Sequence, residues 1–540
     1  VDASGAVALK QGTRTITAPR LTAAMNAQSQ MQRAQLSGGV GLLDTSAERP
    51  MHGSAKTVTI ACDNAGRPTT AVMEGAVSLS MQDRRPGAEA PTGLTRQMGA
   101  DRVTLTMARV NRGIKISAVH AEGKAWVRGD AVMRPAGGKA SGLKTTTVAA
   151  DDLRLALTAD AHGKQQPEIL NGTGHTQITQ RMPDATVETS TGDALQAHFA
   201  QPSGQGLEIA SAIQTGNVQM RSAPGIAGEQ PSAGIAQQAS LDGANDVVTL
   251  SGRPRLTRGD TSVIADSIRI TQQTGDAVAN GNVAATFANA NAKPGAPVTH
   301  ALAADAVLRR AAQTVEFHGT DAAPARLWQG ASQVEAANLL LNHAKNSMQA
   351  WPATPHGEVR TVFANASTAT AAAATPRTQK GVRPPSGDNA VQVISARLDY
   401  SGAAHQAVFS GGVAVQGQDG TVHAQRGVAF LTPKQGSAPA GNPGKPQPDP
   451  VAASLDKVVM SGAVKVEQPG RTATGDQLLY TAATGEFVLT GTPGHSPHVI
   501  DEKQGSISGA TLLFRSPDST IVVAGEPASR RVHTETTMKK

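Results

Sequence analysis

Between Leu455 and Pro527 the chain alternates apolar and polar residues around glycines, and each such run closes in a polar turn. In VVMSGAVKV the apolar residues Val458, Met460, Val464 and Val466 fall on every second position with Gly462 among them, while Lys457, Ser461, Lys465 and Glu467 lie between. Successive side chains of an extended chain point to opposite faces, so this period of two predicts a half-buried β-strand. A glycine in mid-strand takes one side chain off the apolar face and marks a bend, a bulge or a close approach of other atoms. The unit apolar-x-Gly-x-apolar-x-apolar recurs, with varying fidelity, at Gly38, Gly75, Gly123, Gly172, Gly216, Gly252, Gly281, Gly319, Gly357, Gly411, Gly462, Gly491 and Gly525, at spacings of 29 to 54 residues.

A second run sits upstream of most of these glycines: ADDLRLAL from Ala150, ADSIRITQ from Ala265, EAANLLLNH from Glu335, SARLDYS from Ser395, GDQLLYT from Gly475 and GATLLFRS from Gly509. These read as further short strands. The segment VEAANLLLNHAK from Val334 is the best helical competitor. Irregular spacing is what a repeat array shows when insertions collect in its loops. Inserts rich in Pro, Gly, Ala and Ser begin at Arg84, Met133, Ala288, Ala366 and Pro433 and read as flexible linker.

One strand-turn-strand unit cannot bury its apolar face alone, so the units must stack. Folding the sheet back over itself places the apolar faces inside. The expected fold is all-β: an elongated open β-jelly-roll, or V-shaped stacked antiparallel strand array, with long flexible loop inserts. Phe, Trp and Tyr make up only 2% of the residues, which argues against a thick core, since aromatics supply the largest buried areas. An interior left incompletely filled is a place for an apolar ligand.

A formal charge of +7 suits an anionic partner. With no basic run and few aromatics to stack on bases, nucleic acid is not expected. The single cysteine, Cys62, precludes an intramolecular disulfide and has no basic neighbour to activate it. No apolar stretch approaches the 18 residues of a membrane-spanning helix. The start at Val1 suggests a processed chain, with a signal peptide or anchor upstream. Nucleophile-elbow, Walker, zincin and dinucleotide-binding motifs are absent, so no catalytic residue, cofactor or metal site is assigned and no enzyme activity is expected. His495 and His498 form an H-x-x-H in a Pro-rich turn without a third ligand nearby. Asp151 and Asp152 should point to opposite faces of a strand as solvated side chains. The Arg-Gly-Asp tripeptides at Arg128 and Arg258 read as turns.

The segments ARLDYSGAAHQAVFSGGVAVQGQDGTVHAQRGVAFL, from Ala396, and GDQLLYTAATGEFVLTG, from Gly475, resemble the OstA-like, or LptA-type, periplasmic lipopolysaccharide-transport proteins. That family repeats a phrase A-D-x-L-x-Y-D-x7-L-x-G-x-V-x-V. Leu398, Asp399, Tyr400, Phe409, Gly411, Val413 and Val415 fit one copy; Asp476, Leu478, Tyr480, Phe487, Leu489 and Gly491 fit another. The resemblance divides the chain into amino-terminal OstA/LptC-like β repeats (1–83), β repeats with inserts (84–240), OstA-like repeats (241–365), an Ala/Pro-rich linker or loop (366–390), an OstA-like repeat (391–432), a Pro/Gly-rich loop (433–453), further OstA-like repeats (454–528) and a basic tail (529–540). The length suggests either a fused LptC–LptA-like form or a bridge with many repeats.

The resemblance implies a non-enzymatic periplasmic bridge of a Gram-negative cell. Its apolar β groove would shield lipid A acyl chains and conduct lipopolysaccharide from inner to outer membrane. The implied partners are lipopolysaccharide, other Lpt-type proteins joined by edge-strand β-augmentation, an inner-membrane complex and an outer-membrane translocon. The expected groove residues are Phe409, Val413, Val415, Met460, Val464, Val466, Leu478, Tyr480, Phe487, Leu489 and Phe514. The same residues would equally suit a packed β core. A secreted structural or adhesive β-solenoid array is the alternative function.

Overall fold

The computed structural model describes residues 1–47, 50–83, 94–110, 113–133, 142–159, 165–200, 208–225, 228–287, 298–364, 390–417, 420–432, 454–484, 486–492, 494–502, 505–515, 520–524 and 532–535. They form 36 β-strands, with no helix among the described residues. The inserts that begin at Arg84, Met133, Ala288, Ala366 and Pro433 lie outside the described residues, except that Met133 itself ends a strand. The chain divides into two compact units, Val1–Gly259 with Ser267–Gln273, and Asp260–Asp266 with Thr274–Lys540.

In the first unit, long strands from Asp2–Gln11 to Ser232–Asp242 each pair antiparallel with the next. Nearly every pair slips register near its midpoint, for example between Ser37 and Val40, Glu74 and Val77, Glu122 and Ala125, and Thr215 and Val218. A one-residue slip is a β-bulge, which bends the strand and sharpens its twist. The bulges line up strand after strand and crease the sheet. One hydrophobic cluster takes residues from both sides of the crease, Leu36, Met73 and Val103 from one and Val40, Val77 and Val148 from the other.

The crease has a two-part sequence code. Alternate strands carry two successive residues of positive φ, as at Gly75–Ala76, Gly123–Lys124, Gly174–His175 and Gly216–Asn217. Their neighbours carry a small residue followed by a polar one, as in Ala150–Asp151 and Gly192–Asp193. The second side chain lies over the glycine. At Gly216, with φ of 76°, an added Cβ would stand 2.2 Å from Asp193 Oδ2, so both backbone and space require glycine. Asn217 Nδ2 then donates to the same Asp193 oxygen at 2.9 Å. The glycines therefore bend the strand and do not thin its inner wall. The crease glycine of the fourth copy is Gly174; Gly172 is a buried residue two positions earlier. Gly319, Gly357 and Gly491 lie in connections between short strands, and Gly525 is outside the described residues.

The crease also resets the alternation on the neighbouring strands. Ala150 and Leu153 are both buried although three residues apart, which places Asp151 and Asp152 together on the outer side. This corrects the expectation of opposite faces, which holds only for an unbroken strand. A second correction concerns Arg128–Asp130, which lies inside the strand Gly113–Met133, where Asp130 accepts a 2.8 Å hydrogen bond from Thr145 Oγ1. Gly259 and Asp260, after Arg258, do form a turn.

In the second unit the crease interrupts many strands and two ladders separate. One runs through Thr314–His318, Asn338–Asn342, Ser347–Trp351 and Arg397–Ser401. The other runs through Ala325–Gln329, Ser332–Ala336, Val359–Ala364 and Ala390–Ser395. The long strands Thr299–Arg309 and Gln406–Gly417 pair with both and join them. The segment from Val334 to Lys345 thus contributes to two strands broken at Ala337 and is not a helix. Phe287 meets Phe317 edge to face at 6.1 Å, and Phe363 meets Phe409 at 6.2 Å, so the ladders pack face to face. Each unit is all-β and antiparallel, in agreement with a jelly-roll-like array.

Candidate functional site

Cross-strand register gathers the expected groove residues onto the inner faces of the second unit. Phe409 lies beside Leu398 and Gly427, Gly427 beside Met460, Met460 beside Leu478, and Leu478 beside Leu489. A parallel row runs from Val458 through Tyr480 and Phe487 to Phe514, with the Tyr480 and Phe487 rings 4.7 Å apart. Across the crease, Val415 and Val466 both pair with Val422, Val413 pairs with Ala424, and Val464 with Gly475. Val415, Tyr480 and Phe487 are half-buried; the other eight are buried.

Two narrow crevices open between the ladders. The first is apolar and includes Phe363, Val391, Val393, Phe409, Val413 and Val415 in its lining, so three expected residues converge there. The second shares Phe363 and continues along Val334, Met348, Thr361, Leu398 and Tyr400. Sequence reasoning missed Phe363, Val391 and Val393 because their strands fall outside the copies that fit the family phrase and are separated in sequence by the insert from Ala366. The alternation in AVQVIS, from Ala390, was the available signal. Thr361 faces inward between Val334 and Val393. It is 3% exposed, and its Oγ1 has no hydrogen-bond partner among the described residues.

The first unit has a different interior. Its inner row runs from Leu36 through Val58, Met73, Val103, Ala121 and Leu153 to Gly172 and Leu195, and then meets Gln214, which is 3% exposed. Gln214 Nε2 donates to Thr176 O and Oγ1 at 3.2 and 3.0 Å, its Oε1 accepts from Ser190 Oγ, and Thr176 Oγ1 donates to Gly192 O at 2.8 Å. A buried amide is tolerable when its bonds are made in this way. On the strand that carries Ser190, Val187–Ala200, burial pushes the Glu188 carboxyl up, against the pull of Lys144.

On the outer face, His120, Glu122 and Asp152 bring three potential metal-ligand atoms within 4.8 Å of one another. They already belong to an ion-pair network. Arg102 reaches Glu74 and Glu122 at 3.5 and 3.6 Å, Arg154 reaches Asp152 at 3.1 Å, and His120 Nε2 lies 2.5 Å from Asp152. Burial pushes the Asp152 carboxyl up, but His120 and Arg154 hold it below the usual range. Two arginines against the carboxylates supply the cationic charge that a metal would otherwise bring. At Cys62, burial and then Asp63 push the thiol up, away from reactivity.

Residues 235–347 and 392–516, a little under half of the chain, match the family described as LptA/(LptD N-terminal domain) LPS transport protein. No curated protein matches. Among solved structures, "Crystal Structure of TcdB2-TccC3" aligns over 91% of this chain and 35% of its own at 7% identity, with a TM-score of 0.10. So low a score carries no argument about fold.

Proposed function

We propose, taking as premise that the chain carries an LPS-transport domain of the LptA/LptD amino-terminal family, that its second unit shields lipopolysaccharide acyl chains between facing β ladders. The observation that carries this reading is coincidence: the two matched segments build most of the inner row that stays apolar from Phe317 to Leu512. Burying an acyl chain is worth about 0.8 kcal/mol per CH₂, so a wall of Val, Leu, Phe and Met supplies driving force without catalysis. The role is non-enzymatic and periplasmic, part of a bridge from inner to outer membrane in a Gram-negative cell. Other Lpt-type proteins would join by β-augmentation at strand edges such as Asp2–Gln11, which among the described residues pairs on one side only. With rings across the interior only about 6 Å apart, an acyl chain enters by parting the ladders.

That close packing also favours a second reading, a structural array whose interior is simply core. A photo-crosslinking residue at Met460 or Val464 separates the two. Capture of lipopolysaccharide in cells from these inner positions, and not from outward Lys465, is the expected result. A folded protein that captures no lipid from either inner position would leave the structural array as the better reading.

A further inference from the structure

We infer that Thr361 reads an oxygen function on the acyl chain that occupies the second crevice, so that the interior discriminates between substituted and plain aliphatic chains. This rests on the lipid-shielding role proposed above. The crevice lining is mostly aliphatic and aromatic, with Val334, Met348, Phe363 and Leu398 in it, and Ser332 and Gln333 are its other polar members beside Thr361 and Tyr400. Thr361 pairs across the sheet with Val334 on one side and Val393 on the other, and both are buried valines. Its hydroxyl is sealed from solvent and finds no partner among the described residues.

Leaving a buried hydroxyl unpaired is costly, and valine would fill the same space without that cost. Pure packing would therefore favour valine at position 361. The inner threonine at position 176, in the first unit, shows the contrast: its hydroxyl donates to Gly192 O and accepts from Gln214. A hydroxyl both donates and accepts, so its complement on a ligand is a hydroxyl or a carbonyl oxygen on an otherwise aliphatic chain. An unsubstituted chain would leave Thr361 as unpaired as before. An oxygenated one relieves it.

The test uses the full chain and three probes of equal length: tetradecanoate, 3-hydroxytetradecanoate and 3-oxotetradecanoate. Binding is measured by calorimetry for the wild type, Thr361→Val and Thr361→Ser. The wild type should prefer at least one oxygenated chain over tetradecanoate by about 3- to 10-fold, the range of one net hydrogen bond. Which of the two is preferred tells a hydroxyl partner from a carbonyl. Thr361→Val should abolish the preference while binding tetradecanoate as before, and Thr361→Ser should retain it. Equal binding of all three probes by the wild type, or a preference that survives Thr361→Val, overturns the inference and leaves the lipid-shielding role standing. Failure of every probe to bind removes that role and this inference with it.

Discussion

The two units share a crease but differ inside. In the first, the inner row of buried apolar residues is broken by Gln214, which Thr176 and Ser190 support. In the second, the corresponding row passes from Phe317 through Leu339, Ala350, Leu398, Phe409, Gly427, Met460, Leu478 and Leu489 to Leu512 without a polar side chain. The creased β plan therefore tolerates a polar group in its interior where partners come with it. An unbroken apolar row is not demanded by the architecture, and it is what either a packed core or the lipid-shielding interior proposed above would use.

The largest effect should come from transplanting the interruption. Leu478→Gln places an amide between Met460 and Leu489 with no Thr or Ser beside it in the row. Loss of apolar burial plus an unpaired buried amide should cost about 3–5 kcal/mol. Denaturant melts, with hydrogen exchange to locate the loss in the second unit, would measure it. Gln214→Leu in the first unit serves as the control. Thr176 keeps its bond to Gly192 O there, and the cost should stay within about 1 kcal/mol. Similar losses at both sites would break the distinction between the interiors.

A smaller effect tests what the units have in common. Gly216→Ala meets Asp193 Oδ2 at 2.2 Å, and Gly411→Ala meets the Ala396 Cβ at 2.6 Å, with φ of 76° and 81°. Each should destabilise its own unit by about 2–3 kcal/mol through backbone strain and crowding. Comparable losses by denaturation would mark the crease as one device used twice. A loss confined to one unit would show that the shared bulge pattern hides different mechanics.

The strands were legible because a period of two survives in single residues, as in Val458, Met460, Val464 and Val466, whose inward parity runs straight through Gly462. The neighbouring strands were harder. In Ala150–Asp151–Asp152–Leu153 the crease turns a spacing of three into one face, so reading strict alternation put the two aspartates on opposite sides. Splitting of the second unit into two ladders depends on which short strand pairs with which. That is fixed by long-range contacts such as Phe363 with Phe409, and not by local pattern. The groove residues were chosen from the copies that fit the family phrase, and Phe363 and Thr361, just after the anchor Gly357, lie outside those copies. Thr361 looked like one of many strand threonines. Only burial without a partner sets it apart.

The smallest effect is a difference in pH response between the units, and its sign follows from one histidine in each. Burial pushes the His343 imidazole below its ordinary value, so the folded second unit resists a proton that the unfolded chain accepts near pH 6.5. Its stability should therefore fall as pH drops below about 6.5. His175, at the exposed crease of the first unit, is pushed the other way by its 2.7 Å hydrogen bond to Asp151 and by that carboxylate's charge. Its contribution is fully present below about pH 6.5 and is lost as pH rises through the raised value. Hydrogen exchange between pH 5 and 8 should show opposite slopes in the strands around His343 and around His175. The acid loss should flatten in His343→Gln, and the alkaline loss in His175→Ala. Slopes of the same sign in both units, unchanged by either substitution, would mean that these histidines do not distinguish an interior position from the crease.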